Sequence, residues 1–207
     1  MGMYDVLTKY IAADTTAADA DGVCQSQTPA AGGVQNLTIN GALSSGGVAT
    51  FVAARFITIA SASDDSARTF TVTGTDVNGR VQTEVIAGPA TTVTGTKYFR
   101  TVTQVSVDGN TAGAITVGMA NNSLDVVNAG RIRMRGIYLV HTGTAGTIPF
   151  RNGSATGTAL ITVATPAAAN TTRDLVIPDD GVIFADGAYI TYTAGTTVFS
   201  SVLAMYT

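Results

Sequence analysis

The sequence holds no tryptophan, one histidine and one cysteine among 207 residues. A lone cysteine excludes an intrachain disulfide and permits synthesis in a reducing cytoplasm. Cys24 stands between Val23 and Gln25 in a stretch of small and polar residues, with no neighbouring cation to activate the thiol. One His and one Cys, far apart, cannot supply the three or four N and S ligands of a zinc site. General acid–base catalysis near neutrality most often uses histidine. His141 follows the apolar run Ile137–Val140, has no nucleophile motif around it, and reads as a polar cap at a strand end. The Gly-rich stretches contain no Gly-Lys-Ser/Thr, so no phosphate loop is present. On these grounds the chain is expected not to be an enzyme and to carry no cofactor.

Charge is also scarce. Only 12% of the residues are charged, against roughly 25% in an average protein, so Thr, Ser, Asn and Gly must keep the surface wet. Such a surface packs readily against other proteins, because little charge has to be desolvated at contact. The net charge is −3, and no Lys/Arg cluster could neutralise a row of phosphates, so nucleic acid is not an expected partner. The densest basic stretch is Arg131, Arg133 and Arg135, whose spacing of two puts them on one side of a strand, either solvated or facing another subunit. No apolar run approaches the ~18 residues of a membrane helix, and Met1–Ala13 lacks the pattern of a leader.

Carboxylates occur in pairs at Asp64-Asp65 and Asp179-Asp180, with Asp174 and Asp186 near the second pair. Paired carboxylates can hold calcium or hydrolyse glycosides, but those in turns usually bond their own backbone. A glycosidase would also want aromatic platforms, and the seven tyrosines are scattered.

The local pattern is that of an all-β protein. Met3, Leu7, Tyr10 and Ile11 recur at helical spacing, which predicts one short helix over Met3–Ala13 that needs a partner surface. Ala12–Gly33 is poor in large apolar residues and reads as an extended arm or loop. From Asn36 onward the period is two, with turns every 8–12 residues or so, the rhythm of a sandwich or barrel. Asn78-Gly79 marks a hairpin and predicts a type I′ turn. In Arg131–Val140, Ile132, Met134 and Gly136 face opposite to the arginines, and Ile137–Val140 reads as apolar on both faces, hence deep in a core or interface. Pro166–Asn170 is a small-residue loop, and Pro178-Asp179-Asp180-Gly181 a tight turn. A soft boundary at Ala120–Asn122 gives an N-terminal arm (1–33) and two tandem antiparallel domains of sandwich or jelly-roll type (34–122 and 123–207).

Several stretches carry a family likeness: Phe70–Gly79 (Phe-Thr-Val-Thr-Gly-Thr-Asp-Val-Asn-Gly), Lys97–Thr103, Arg135-Gly136-Ile137-Tyr138, and Pro178–Phe184. The chain from about Asn36 onward resembles virion structural proteins of tailed bacteriophages, most of all capsid decoration or cement proteins. The resemblance implies a small β-rich protein, often trimeric, that clamps adjacent capsid subunits on the outside of the head. The major capsid protein would be its partner, and an N-terminal arm would reach onto neighbours. It brings no catalytic or ligand motif. The residues expected to make assembly contacts are Met3, Leu7, Tyr10, Ile11, Arg131, Arg133 and Arg135. Two other roles stay open. One is a tail, neck or fibre-anchoring subunit; the other is a carbohydrate-binding module using Tyr189 and Tyr192 beside Asp179, Asp180 and Asp186.

Overall fold

The computed structural model of the chain describes residues 5–168 and 171–207. Met3 and the last two residues of the loop expected at Pro166–Asn170 lie outside them. The described residues hold strands and turns and no helix. The chain divides into two compact units, one built from Met1–Thr16 and Leu124–Thr207 and the other from Ala17–Ser123.

The first strand, β1 (Leu7–Ala12), belongs to the first unit. In the second unit follow β2 (Asp19–Gln27), β3 (Gln35–Leu37), β4 (Ser44–Ser45), β5 (Val48–Ser61), β6 (Thr69–Thr75), β7 (Val81–Ala87), β8 (Thr92–Thr94) and β9 (Phe99–Val107). The long β10 (Ile115–Asn128) starts in the second unit and ends in the first. The first unit then adds β11 (Ile132–His141), β12 (Gly146–Asn152), β13 (Ala159–Thr165), β14 (Thr172–Val176), β15 (Val182–Phe184), β16 (Ala188–Thr193) and β17 (Phe199–Tyr206). The strands form two antiparallel sheets of five and twelve strands. The five-stranded sheet runs β1-β17-β11-β14, with β15 also on β11.

The expected helix over Met3–Ala13 is not formed. Leu7–Ala12 is a strand paired residue for residue with β17, from Leu7 opposite Tyr206 to Ala12 opposite Ser201. A helix of about ten residues is marginal alone, whereas Thr8, Tyr10 and Ile11 suit a strand and β17 offers an open edge. Asp19–Gln27, within the stretch expected as an arm, is likewise a strand, paired with β10. Its Val23 and Cys24 are fully buried in the second unit's core.

That core gathers Phe51, Ile57 and Ile59 of β5 with Phe70 and Val72 of β6, Phe99 and Val105 of β9, and Ile115 and Val117 of β10. Alternation supplies most of it, as the sequence period demands. It breaks in β5, where Ala53, Ala54 and Arg55 are all buried. There the register against β9 shifts between Thr50 and Arg55, and the extra chain turns Arg55 inward. Its Nη1 donates to the Ala120 carbonyl at 2.9 Å. Phe56 is left on the other face, stacked at a tilt on Tyr98 with ring centroids 4.2 Å apart. The first unit has its own core, in which Ile137, Leu139, Val202 and Ala204 of the five-stranded sheet meet Ile148, Phe150 and Ile190 of β12 and β16.

The β6–β7 hairpin is present, but its turn is not type I′. Only Gly79, at φ 78°, has positive φ; Asn78 does not. The Asp76 carboxylate accepts the N–H groups of Asn78 (2.8 Å) and Arg80 (2.9 Å) and fixes a five-residue loop instead.

Burial in the second unit's core pushes the Cys24 thiol up to about 12. The reactive thiolate is therefore nearly absent at pH 8. We expect a thiol reagent to leave the native protein unlabelled at that pH and to label one equivalent after denaturation. Rapid labelling of the folded protein would contradict the burial.

Candidate assembly surface

In β11, Ile132 and Met134 point into the core and Arg133 and Arg135 point away, as the alternation predicts. Beyond Arg135 the parity changes. Met134 lies opposite Tyr206, yet the next pair is Gly136 with Met205, so β11 has one residue more than β17 at Arg135. This bulge places Ile137 and Leu139 inward and Tyr138 outward. The run Ile137–Val140 is therefore not buried on both faces. Tyr138 is 39% exposed.

The outward face has a consistent register across three strands. Tyr10 of β1 and Tyr138 of β11 both lie opposite Leu203 of β17. The next row holds Thr8, Met205, Gly136 and, from β14, Val176. Tyr10 is 63% and Val176 74% exposed, while Leu203 and Met205 are half-buried. An aromatic and aliphatic band thus stands open to solvent on the five-stranded sheet. The sheet's margins are open too: β14 is exposed along its whole length, and β1 is exposed except at Ile11 and Ala13 beyond it is only partly covered.

The expected contact residues fall on this sheet in different roles. Tyr10 lies in the outward row, Leu7 is exposed beside Tyr206, and Ile11 is a core residue. Arg131, Arg133 and Arg135 border a cleft at the end of the sheet where β11 meets β15. Arg133 Nη1 donates to the Asp180 carbonyl and Arg135 Nη1 to the Asp179 carbonyl, both at 3.0 Å. The accepting turn, Pro178–Gly181, holds both Asp179 (φ 55°) and Gly181 (φ 76°) in left-handed backbone. A Cβ on Gly181 would come within 2.2 Å of the Met134 carbonyl, so only glycine lets the turn lie against β11. Leu203, Met205, Val176 and Tyr138 were not foreseen as surface contacts. No sequence signal separates Tyr10 and Tyr138 from the strand tyrosines Tyr189 and Tyr206, which are buried.

The other singled-out residues are held by local bonds. Asp64 accepts the Ser66 N–H at 2.9 Å, and the Ser66 side chain and backbone keep its carboxyl below the usual range. Asp65 is buried and accepts the Ser61 hydroxyl (2.6 Å) and the N–H groups of Ala112 (2.6 Å) and Gly113 (3.2 Å). His141 is buried at the end of β11, with Nε2 against the Thr171 hydroxyl. Asp186 is tied to Asn152 through its carboxylate and its own N–H. Tyr189 is buried. Tyr192 packs edge-on against Phe199, and its hydroxyl donates to the Asp125 carboxylate at 2.7 Å while accepting the Asp14 N–H at 3.1 Å. Burial and then the Asp125 carboxylate push its pKa above the ordinary phenol range.

No protein-family model, curated protein or solved structure matches the chain.

Replacing Tyr192 by Phe removes a hydrogen bond to a carboxylate and should cost about 1.5–3 kcal/mol. Urea denaturation of Y192F should show a lower midpoint with an unchanged slope; an unchanged midpoint would mean that this bond does not hold β16 to the start of the chain.

Proposed function

We propose that this chain is a non-enzymatic structural subunit of a tailed-bacteriophage virion, and within that class a decoration or cement protein on the outside of the head. The observation that carries the assembly reading is the outward face of the five-stranded sheet. Tyr10, Leu203 and Tyr138 lie there in one row, with Met205 and Val176 beside them. Contiguous apolar surface rimmed by polar residues marks a protein contact more often than it marks idle surface. Aromatic anchors in such patches carry a large share of binding energy. The low charge of the chain works in the same direction. The phage class comes from the sequence resemblance, and the two β units are read as sandwich-like bodies suited to bridging neighbours.

Contact through a docked face differs from contact through a free arm. Removing residues 1–33 would strip Ile11, Val23 and Cys24 from the two cores, so that truncation reports on folding before it reports on assembly. A surface substitution is cleaner. Tyr138→Thr keeps a strand-forming residue and should shift stability by no more than about 0.5 kcal/mol. Its occupancy on purified particles should fall at least tenfold, measured by quantitative gel against the major capsid protein. Full occupancy with Y138T would remove the face from the contact. The same gel reads copy number: on the order of hundreds per particle suits a cement protein, whereas about a dozen or fewer suits a neck or fibre-base ring.

A further inference from the structure

We propose that the cleft at Arg131–Arg135 is a docking groove for an extended acidic segment of another protein, with carboxylates at alternate positions. The proposal rests on the assembly reading and names the chemistry of the neighbour at one end of the sheet. The cleft, about 420 Å³, is bordered by Arg131, Arg133 and Arg135 together with Asp180, Ile183 and Thr207. Three guanidiniums line it together with one side-chain carboxylate, that of Asp180. That carboxylate meets Arg133 only loosely, at 3.6 Å, and its side chain is almost fully exposed.

The arginines are partly positioned already. Arg133 and Arg135 each spend one N–H on a carbonyl of the Asp179–Asp180 turn. A guanidinium has five N–H donors, so most of each fork remains for a ligand. Arg131 is exposed and has no hydrogen-bond or ion-pair partner among the described residues. Arg131 directly precedes β11; three like charges this close along the chain repel one another, and an arriving counter-charge relieves that repulsion.

Spacing selects the ligand. Alternate residues of a strand stand roughly 6.5 Å apart, so the row extends about 13 Å. A single phosphate or sulfate can engage one guanidinium or two neighbours, but not all three. An extended segment with Asp or Glu at every second position repeats the interval of the row. Its planar carboxylates match the forks two bonds at a time. In this chain the only carboxylates two residues apart are Asp19 and Asp21. The Asp19 carboxylate folds back onto the Asp21 N–H at 3.2 Å, so the acidic strand is assigned to a different protein.

The test is calorimetric titration of the full chain at low salt with a short capped peptide of alternating Thr and Asp. Three probes are compared with it: a peptide of the same composition with its Asp residues adjacent, the Thr/Asn counterpart, and inorganic phosphate. The alternating peptide should bind most tightly, and added salt should weaken it. Arg131→Gln should weaken it by about fivefold, the scale of a half-exposed charge pair, and Arg131→Lys should restore most of the loss. Because Arg131 is exposed, R131Q should melt like the parent. Equal binding of the block peptide or of phosphate would overturn the proposal, as would binding of the alternating peptide unaffected by R131Q or no binding at all. The titration contains no particle, so its failure leaves the occupancy result for Y138T standing on its own.

Discussion

The bulge at Arg135, where β11 carries one residue more than β17, decides which side chains of the five-stranded sheet face in and which face out. Strand parity is strict, and one residue of slip moves every later side chain to the opposite face. Continued without the bulge, the arginine row would have carried on through Ile137 and Leu139. Tyr138 and Val140 would then have turned inward. The two buried side chains that the bulge secures are each worth roughly 1.5–3 kcal/mol of transfer free energy. One irregularity thus completes the first unit's core, sets the guanidiniums at one end of the sheet, and puts Tyr138 in line with Leu203 and Tyr10.

Much of the β character was readable because its signal is local. The alternation of Ile132 and Met134 with Arg133 and Arg135 needs only period two, and the structure has the same alternation. The hairpin at Asn78-Gly79 was equally legible, although the Asp76 carboxylate, two residues upstream, changed the turn type. Leu7, Tyr10 and Ile11 fit a helix as well as a strand, and only the open edge of β17, nearly the whole chain away, decides between them. The bulges were illegible for a related reason. Nothing in Ala53-Ala54-Arg55 or Arg135-Gly136 says that the partner strand is shorter there, by three residues in β9 and by one in β17. The burial of Arg55 and the exposure of Tyr138 follow from those bulges and were out of reach with them.

The proposed contact surface combines two kinds of chemistry. The aromatic and aliphatic band offers area that costs little to desolvate. The arginine cleft offers charge that is worth most when a matching charge arrives. Area of the first kind supplies affinity with modest selectivity, whereas a row of guanidiniums at fixed intervals discriminates by register and sign. Three of the chain's eleven Lys and Arg residues stand in this one place, and in a thinly charged chain few competing charges blur the pattern.

The central claim is that the outward face of the five-stranded sheet is the face covered in the assembly. Hydroxyl-radical footprinting of the free protein and of purified particles reads this directly, side chain by side chain. Tyr10, Tyr138 and Leu203 should lose most of their modification in the particle. Val81 and Val85 of β7, exposed in the second unit, should react as in the free protein. Undiminished modification of Tyr10 and Tyr138 in the particle would contradict it.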